Sequence, residues 1–348
     1  MVEIDGSRYS GSGTIVRQAV ALAALTGEPV RIANIRVKRP KPGLQRQHAQ
    51  VVRAMAELVG GETEGVHVGA RELVFRPGPN RGAARFAWDI GSAGSTTLLA
   101  LAVLPVLAFR PGSTEIEVRG GLFQDFAPSF FHFRDVLLPL VRRMGLRAQA
   151  QMERPGYVPR GGGVLRLRVE PVAGGLRPVM STPQGEVRRV WGIALASRLA
   201  EREVGQRMAR AAQRALATAG YQAGIEVLDD RTALQPGAAL ALFADLDDDV
   251  RLGADGAGAP GRPSEAIGER AARDLLEDLA SGATLDRHAA DQVIPFAALA
   301  AGESRFRVPA VTEHLESGAW LAREFLGAEV DASGAVLRIR GVGFSPRE

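Results

Sequence analysis

Asp89-Ile90-Gly91-Ser92-Ala93-Gly94-Ser95, followed by the apolar run Leu98–Phe109, sets the reading of the whole chain. A glycine- and serine-rich turn opens a helix, and the run, interrupted by Pro105, has the length of a buried core helix rather than of a membrane span. Beyond it, Thr114–Val118 alternates as a strand. Residues 128–145 read as helical, closed by Gly145, and strands near Ala148–Met152 and Val164–Val169 complete the unit. The same αβαββ order occurs upstream. There a helix over 12–26, with Ile15, Ala19, Leu22 and Leu25 on one face, ends at Gly27. A strand at Val30–Ile35, a helix at 45–60 and short strands at Val66–Val68 and Glu72–Phe75 around Gly69 follow. It occurs again downstream as helices at 264–281 and 287–301, a strand at 304–308, a helix at 312–326 and strands at Glu329–Asp331 and Ala335–Ile339.

Between the second and third occurrences the pattern changes. Val187–Ala194 reads as a strand, 200–219 as a long helix, and Ile225–Leu228 and Ala238–Asp245 as strands. A glycine- and proline-rich stretch, Gly253–Pro263, reads as flexible. The expected architecture is therefore α+β. Residues 1–180 and 263–348 form a large domain of three repeats, and 181–262 form a small α/β domain inserted in the third.

Composition narrows the chemistry. The chain has 348 residues and no cysteine, which excludes thiol catalysis, cysteine-bound zinc, iron–sulfur clusters and a disulfide framework. Acids in Met1-Val2-Glu3-Ile4-Asp5 stand where a signal peptide has bases, so a cytoplasmic protein with no membrane partner is expected. The net charge is +4, and only two of the 43 basic residues are lysines. Both, Lys38 and Lys41, fall in the acid-free stretch Arg36-Val37-Lys38-Arg39-Pro40-Lys41-Pro42-Gly43-Leu44-Gln45-Arg46-Gln47-His48. Such a knot of like charge suits a phosphate-bearing ligand, although a flexible basic loop has the same composition.

Common signatures are missing: there is no Walker-type loop, GxSxG elbow, HExxH pair, EF-hand loop or lysine nucleophile of the KxDG kind. Two glycine-rich helix starts remain, Ser10-Gly11-Ser12-Gly13-Thr14 with Arg17 one turn on, and Gly91–Ser95. Free N–H groups at such starts bind anions, and an ordinary capped helix looks the same. Of five histidines, His67 and His132 read as packing residues. His48 lies at the end of the basic stretch, and His288 and His314 lie at helix starts. A neutral imidazole is a competent nucleophile toward phosphorus, but spacing does not choose between His288 and His314. The run Asp245–Asp249 reads as a solvated acidic loop.

Taken together, several segments resemble the RNA 3'-terminal phosphate cyclases. They are Asp5-Gly6 with Gly11, Gly13 and Arg17; Arg39–His48; Ile90–Ser95; Gly120-Gly121; Tyr157, Pro159 and Gly161–Gly163; Ala290-Asp291-Gln292; and His314-Leu315. The resemblance implies three βαβαββ units like the C-terminal domain of translation initiation factor three, with the small domain inserted in the third. It implies ATP, a divalent cation (Mg²⁺ or Mn²⁺) and RNA bearing a 3'-terminal phosphate as reactants, and a 2',3'-cyclic phosphate as product, formed through histidine-AMP and RNA-(3')pp(5')A. By position the adenylylated residue is His314. The ATP-binding stretch is Arg287, His288, Ala289, Ala290, Asp291 and Gln292, and phosphate and RNA-end contacts fall on Arg17, Arg39, Lys41 and Gln47.

The chain departs from the family pattern at particular places. Ser10 stands where the family has a metal-associated glutamate, Thr14 and Leu101 replace glutamines, and Leu122-Phe123 and Glu316-Ser317-Gly318 replace polar segments. No metal ligand set follows from the resemblance. Two other readings stay open: a non-catalytic cyclase-like RNA-binding protein of ribosome assembly, and an enolpyruvyl transferase.

Overall fold

A computed structural model describes residues 1–78 and 83–346. In its first part β1 (Val2–Asp5), α1 (Gly13–Thr26), β2 (Val30–Ala33), α2 (Arg46–Val59), β3 (Glu62–Glu64) and β4 (Leu73–Arg76) follow in order. The sheet runs β1-β2-β4-β3, with β1 and β2 parallel and the other pairs antiparallel. Ile15, Ala19 and Leu22 of α1 are sealed, and Gly27 ends the helix at φ 74°, a conformation glycine adopts without a Cβ penalty. The second strand of the expected hairpin lies where expected, but its partner does not. It is the polar edge segment Glu62-Thr63-Glu64, which carries no apolar alternation, while Val66 and Val68 fall in a turn and His67 is exposed.

The second part repeats this order: β5 (Arg85–Asp89), α3 (Thr96–Ala108), β6 (Thr114–Gly120), α4 (Phe130–His132), a π-turn (Phe133–Leu137), α5 (Leu138–Arg143), β7 (Arg147–Arg154) and β8 (Gly163–Glu170). Its sheet is β5-β6-β8-β7. Every residue of α3 is buried, because the helix is enclosed by α1, α2 and the second sheet. The sheet's outer face is a hollow of about 810 Å³. Its Arg85, Arg166 and Arg168 pair with Glu115 and Glu117, so it is a self-neutralised, solvated surface.

After the short β9 (Met180–Ser181) come β10 (Val187–Ser197), α6 (Val204–Thr218), β11 (Ala223–Asp230), β12 (Gly237–Leu246), β13 (Arg251–Ala257) and α7 (Ser264–Ala280). The strands form a separate sheet, β11-β10-β12-β13. The stretch expected to be flexible from Gly253 is strand through Ala257, since its glycines allow close packing. A Cβ on Gly253 would lie 2.8 Å from Val136 and 2.9 Å from His132. Ile267, Ala271, Ala272 and Leu275 of α7 join Met208, Leu216, Leu240 and Leu242 in an apolar cluster separate from the main core. Packing therefore groups α7 with α6 and the β10–β13 sheet. Asp245 and Asp247 of the acidic run pair with Arg251 and Arg188.

The chain closes with α8 (Ala289–Gln292), α9 (Ile294–Leu299), β14 (Ala301–Arg307), α10 (Glu313–Leu326), β15 (Glu329–Asp331) and β16 (Val336–Val342), in a sheet of order β15-β16-β14-β9. The single helix expected over 287–301 is two short helices broken at Val293, with Pro295 in the first turn of the second. The molecule is thus a mixed α+β protein of small four-stranded sheets and helices. Among the described residues no helix is long and apolar enough to cross a membrane.

Candidate active site

The start of α1 meets the start of α10. Ser12 caps α1, its Oγ accepting from the Thr14 N–H at 3.2 Å, and Thr312 caps α10, accepting from Leu315 N–H at 3.2 Å. This brings His314 Nδ1 to 3.0 Å from Thr14 Oγ1 and 3.4 Å from Ser12 Oγ. Arg17, one turn into α1, donates from Nη2 to Thr14 Oγ1 at 3.1 Å, and Arg39 donates from Nη2 to the Ser10 carbonyl at 3.1 Å. Half-burial, then the guanidinium groups of Arg17 and Arg39, push the His314 imidazole below its ordinary value, against an opposing pull from Glu313. The ring is neutral at physiological pH, and its Nε2 has no protein partner among the described residues.

Arg17 is half-buried, and burial lowers it to about 10 against the attraction of Asp291. His48 closes over the same corner. Its Nε2 lies where a Cβ on Gly13 would sit, 2.1 Å away, and its Nδ1 accepts from Gln45 N–H at 3.1 Å. Burial, with Arg17 and Arg36, drives His48 down to about 3, so it is a neutral wall of the site. The basic stretch is a loop closed by Arg36, which donates to the carbonyls of Lys41 at 2.6 Å and Gly43 at 2.8 Å. Its Lys41 side chain is exposed, and among the described residues neither Lys41, Arg39 nor Arg17 is in an ion pair. Unneutralised cations around an uncharged imidazole favour a polyanion.

Asp291 and Gln292 join this corner through α8. Burial raises Asp291 to about 6 against the pull of His288 and Arg17, and Gln292 donates to it at 2.9 Å. Ala289 and Ala290 are buried backbone of the same turn, and His288 is half-buried beside them. Arg287 points elsewhere. Its guanidinium bonds Asp278 at 2.8 and 3.0 Å and Glu277 at 2.9 Å on α7, so it is neutralised within the fold. Gln47 is a bridge to the second part, its Oε1 accepting from Ser95 N–H at 2.9 Å.

Sequence reading missed one charged centre. Asp286 is fully buried and accepts from His288 N–H at 2.9 Å, Ala289 N–H at 2.8 Å and Gly253 N–H at 2.9 Å. It also lies 3.0 Å from His132 Nε2. Burial opposes the charge on His132, but Asp286 outweighs it and holds that imidazole above its ordinary value, while Asp286 itself sits at about 2. His132 is sealed as expected, but its ring faces the Asp286 carboxylate rather than apolar neighbours alone.

The departures from the family pattern are apolar fill or hydroxyls. Leu101, Leu122 and Phe123 are in the core, Phe123 stacked on Tyr157 at 5.5 Å. Ser10, Ser12 and Ser317 form a buried hydroxyl cluster, with Oγ–Oγ separations of 3.0 Å (Ser10–Ser12) and 2.8 Å (Ser10–Ser317). Among the described residues no group of three or more His, Asp or Glu side chains is placed to hold a metal ion. Neutral hydroxyls and two buried guanidinium-facing walls do not fit a divalent cation held by the chain itself.

A family model described as RNA 3'-terminal phosphate cyclase matches residues 8–332. The RNA 3'-terminal phosphate cyclase of Methanopyrus kandleri is 41% identical over 339 residues, covering 96% of each chain. That of Hyperthermus butylicus is 42% identical over 360 residues and 99% of each chain. That of Nitrosospira multiformis is 41% identical over 343 residues, 98% of this chain and 96% of its own. Among solved structures, the enolpyruvyl transferase NikO from Streptomyces tendae aligns with 99% of this chain at 14% identity and TM-score 0.44. This chain spans 49% of that one.

Proposed function

The chain belongs to the RNA 3'-terminal phosphate cyclase family of enzymes, and from that premise we propose that it cyclises RNA 3'-phosphates with ATP through a covalent adenylate on His314. The observation that carries the reading is the neutral, depressed imidazole of His314 at the joined helix starts, flanked by Arg17 and Arg39. In the first step Nε2 attacks the α-phosphorus of ATP and pyrophosphate leaves. In the second an oxygen of the RNA 3'-phosphate attacks that phosphorus, the P–N bond breaks, and RNA-(3')pp(5')A forms. In the third the neighbouring 2'-hydroxyl loses its proton, attacks the 3'-phosphorus and expels AMP. That last closure is intramolecular, so little translational entropy opposes it.

Arg17 and Arg39 neutralise the phosphates on which charge grows. Lys41 adds an exposed charge on the path to the site. His288, Asp291 and Gln292 hold the nucleoside, with Ala289 and Ala290 as the backbone of that turn. We assign Arg287 to fixing that turn, and Gln47 to fixing the adjoining loop. A divalent cation belongs to the nucleotide as substrate, and no step is assigned to one held by the chain. The three β-α-β-α-β-β runs, with strands paired alike in three sheets, agree with the family's repeated unit. The segment from β10 to α7 is read as the insertion.

The hydroxyl cluster, where the family has a carboxylate, favours a second reading, a cyclase-like RNA-binding protein without nucleotidyl transfer. Incubation with α-labelled ATP and Mg²⁺ or Mn²⁺ separates the two. Transfer predicts a protein-bound label that is acid-labile and alkali-stable, retained in His288→Ala and lost in His314→Ala. No label with either ion overturns the proposal.

A further inference from the structure

The buried serines of the site form a chain whose direction can be worked out donor by donor. Ser317 Oγ lies 2.8 Å from the Glu313 carbonyl oxygen, which can only accept, so the Ser317 proton is engaged there. Toward Ser10, 2.8 Å away, Ser317 Oγ must then accept, and it also accepts from the Ser10 N–H at 3.3 Å. The Ser10 proton is thus directed at Ser317. At the 3.0 Å contact with Ser12 it is Ser12 that donates. With its one proton engaged, Ser12 Oγ accepts from Thr14 N–H and faces His314 Nδ1 with a lone pair. Thr14 Oγ1 accepts from Arg17 and lies 3.0 Å from the same nitrogen, to which its hydroxyl accepts or donates according to the tautomer that Ser12 selects. All four residues are buried, so water does not scramble the order: Ser10 is 5%, Ser12 7%, Thr14 3% and Ser317 0% exposed.

We propose that this hydroxyl chain, from the Glu313 carbonyl through Ser317, Ser10 and Ser12, fixes the proton of His314 on Nδ1 and so presents Nε2 as the attacking nitrogen. The inference deepens the transfer reading and rests on His314 being the nucleophile. The three serines are positioning residues, since they act through His314. Their direction also serves the second step. When Nε2 bonds to the α-phosphorus, the ring becomes an imidazolium with its proton still on Nδ1. When the RNA phosphate displaces it, the P–N electron pair returns to Nε2 and neutral imidazole leaves, with no proton to move.

Long-range proton–nitrogen correlation spectra of the full chain, labelled with ¹⁵N-histidine, test this at pH 7.5, with the His314 ring assigned by its loss in His314→Gln. The wild type is expected to show a protonated Nδ1 and an unprotonated Nε2. In Ser10→Ala and Ser317→Ala the Ser12 hydroxyl is free to donate to Nδ1. The Nε2–H form then gains population, and the adenylation rate falls about tenfold with the KM for ATP unchanged. A wild-type ring protonated on Nε2, or Nδ1–H retained in both variants, overturns the hydroxyl chain. A wild-type ring with Nδ1–H that takes no label from ATP leaves the chain standing and overturns nucleotidyl transfer instead.

Discussion

The starts of α1 and α3 are built from the same local code and do different things. Each follows a glycine-rich turn, and each is capped by a serine, Ser12 accepting from Thr14 N–H at 3.2 Å and Ser95 from Leu98 N–H at 3.1 Å. At α3 every neighbouring polar group is tied to the fold. Ser95 N–H goes to Gln47, Thr96 N–H to the Gly121 carbonyl at 2.9 Å, and Thr97 Oγ1 to the Pro128 carbonyl at 2.7 Å. At α1 the hydroxyls meet the helix's own Arg17 guanidinium and an imidazole, His314, delivered from the far end of the chain. A glycine-rich helix start is therefore only a socket. What the distant parts of the chain insert into it decides whether it is chemistry or scaffold.

The most damaging way to probe that difference is to put a methyl group at each turn. A Cβ on Gly13 would lie 2.1 Å from His48 Nε2 and 2.5 Å from its Cδ2, and that ring is buried and anchored to Gln45, so it cannot yield. Gly13→Ala is expected to cost roughly 1–3 kcal/mol of stability, the usual range for overpacking, and to abolish adenylation. A Cβ on Gly94 would meet Ile90 Cγ2 at 2.7 Å and Gln47 Cβ at 2.8 Å, atoms held close to the backbone. Gly94→Ala is expected to cost a similar amount and to leave labelling of the folded protein within a few-fold of wild type. Denaturation midpoints and the ATP-labelling assay read both, and equal loss of label would end the distinction.

How much of this was legible in the sequence follows from range. The paired helix starts and the two lysines of the basic loop announce themselves in short stretches, because glycine turns and like-charge runs are local signals. Spacing does not separate His314 from His288, and only the family resemblance singles it out. The polar strand Glu62–Glu64 and the glycine-bearing strand Arg251–Ala257 were hidden, since neither carries an apolar alternation. The hydroxyl chain joins residues 307 positions apart, and Asp286 gains its meaning only from Gly253 and His132 beyond any local window. Arg287 is a further case: the resemblance places it in the ATP-binding stretch, and only the fold brings three carboxylates of one helix around its guanidinium.

A gentler probe uses proton linkage. His48, behind the α1 start, is held down to about 3 by burial and by Arg17, whereas unfolding returns it to an ordinary value near 6.5. Between those values the unfolded chain binds the extra proton, so the His48 contribution is complete above pH 6.5 and is lost as pH falls toward 3. His132, at the end of α4, has the opposite sign. Burial opposes its charge but Asp286 raises it, so its contribution is complete below the unfolded value and fades as pH rises through the folded one. Unfolding free energies measured from pH 4 to 8 should therefore flatten on the acid side in His48→Gln. An unchanged acid slope would mean that the ring is charged in the fold.

The smallest expected effect is also the cleanest separation of scaffold from chemistry. Ser12→Ala and Ser95→Ala each remove one helix cap, and each should cost about 1 kcal/mol, the usual value for such a cap. Stability alone cannot tell the two starts apart. The difference lies in what else each hydroxyl faces. Ser95 Oγ meets Thr97 Oγ1 at 2.8 Å, another scaffold group, whereas Ser12 Oγ is the link between Ser10 and His314. Matched losses of stability with slowed adenylation only in Ser12→Ala would locate the chemistry at the α1 start. Matched losses of both properties would mean that the caps matter to activity only through the fold.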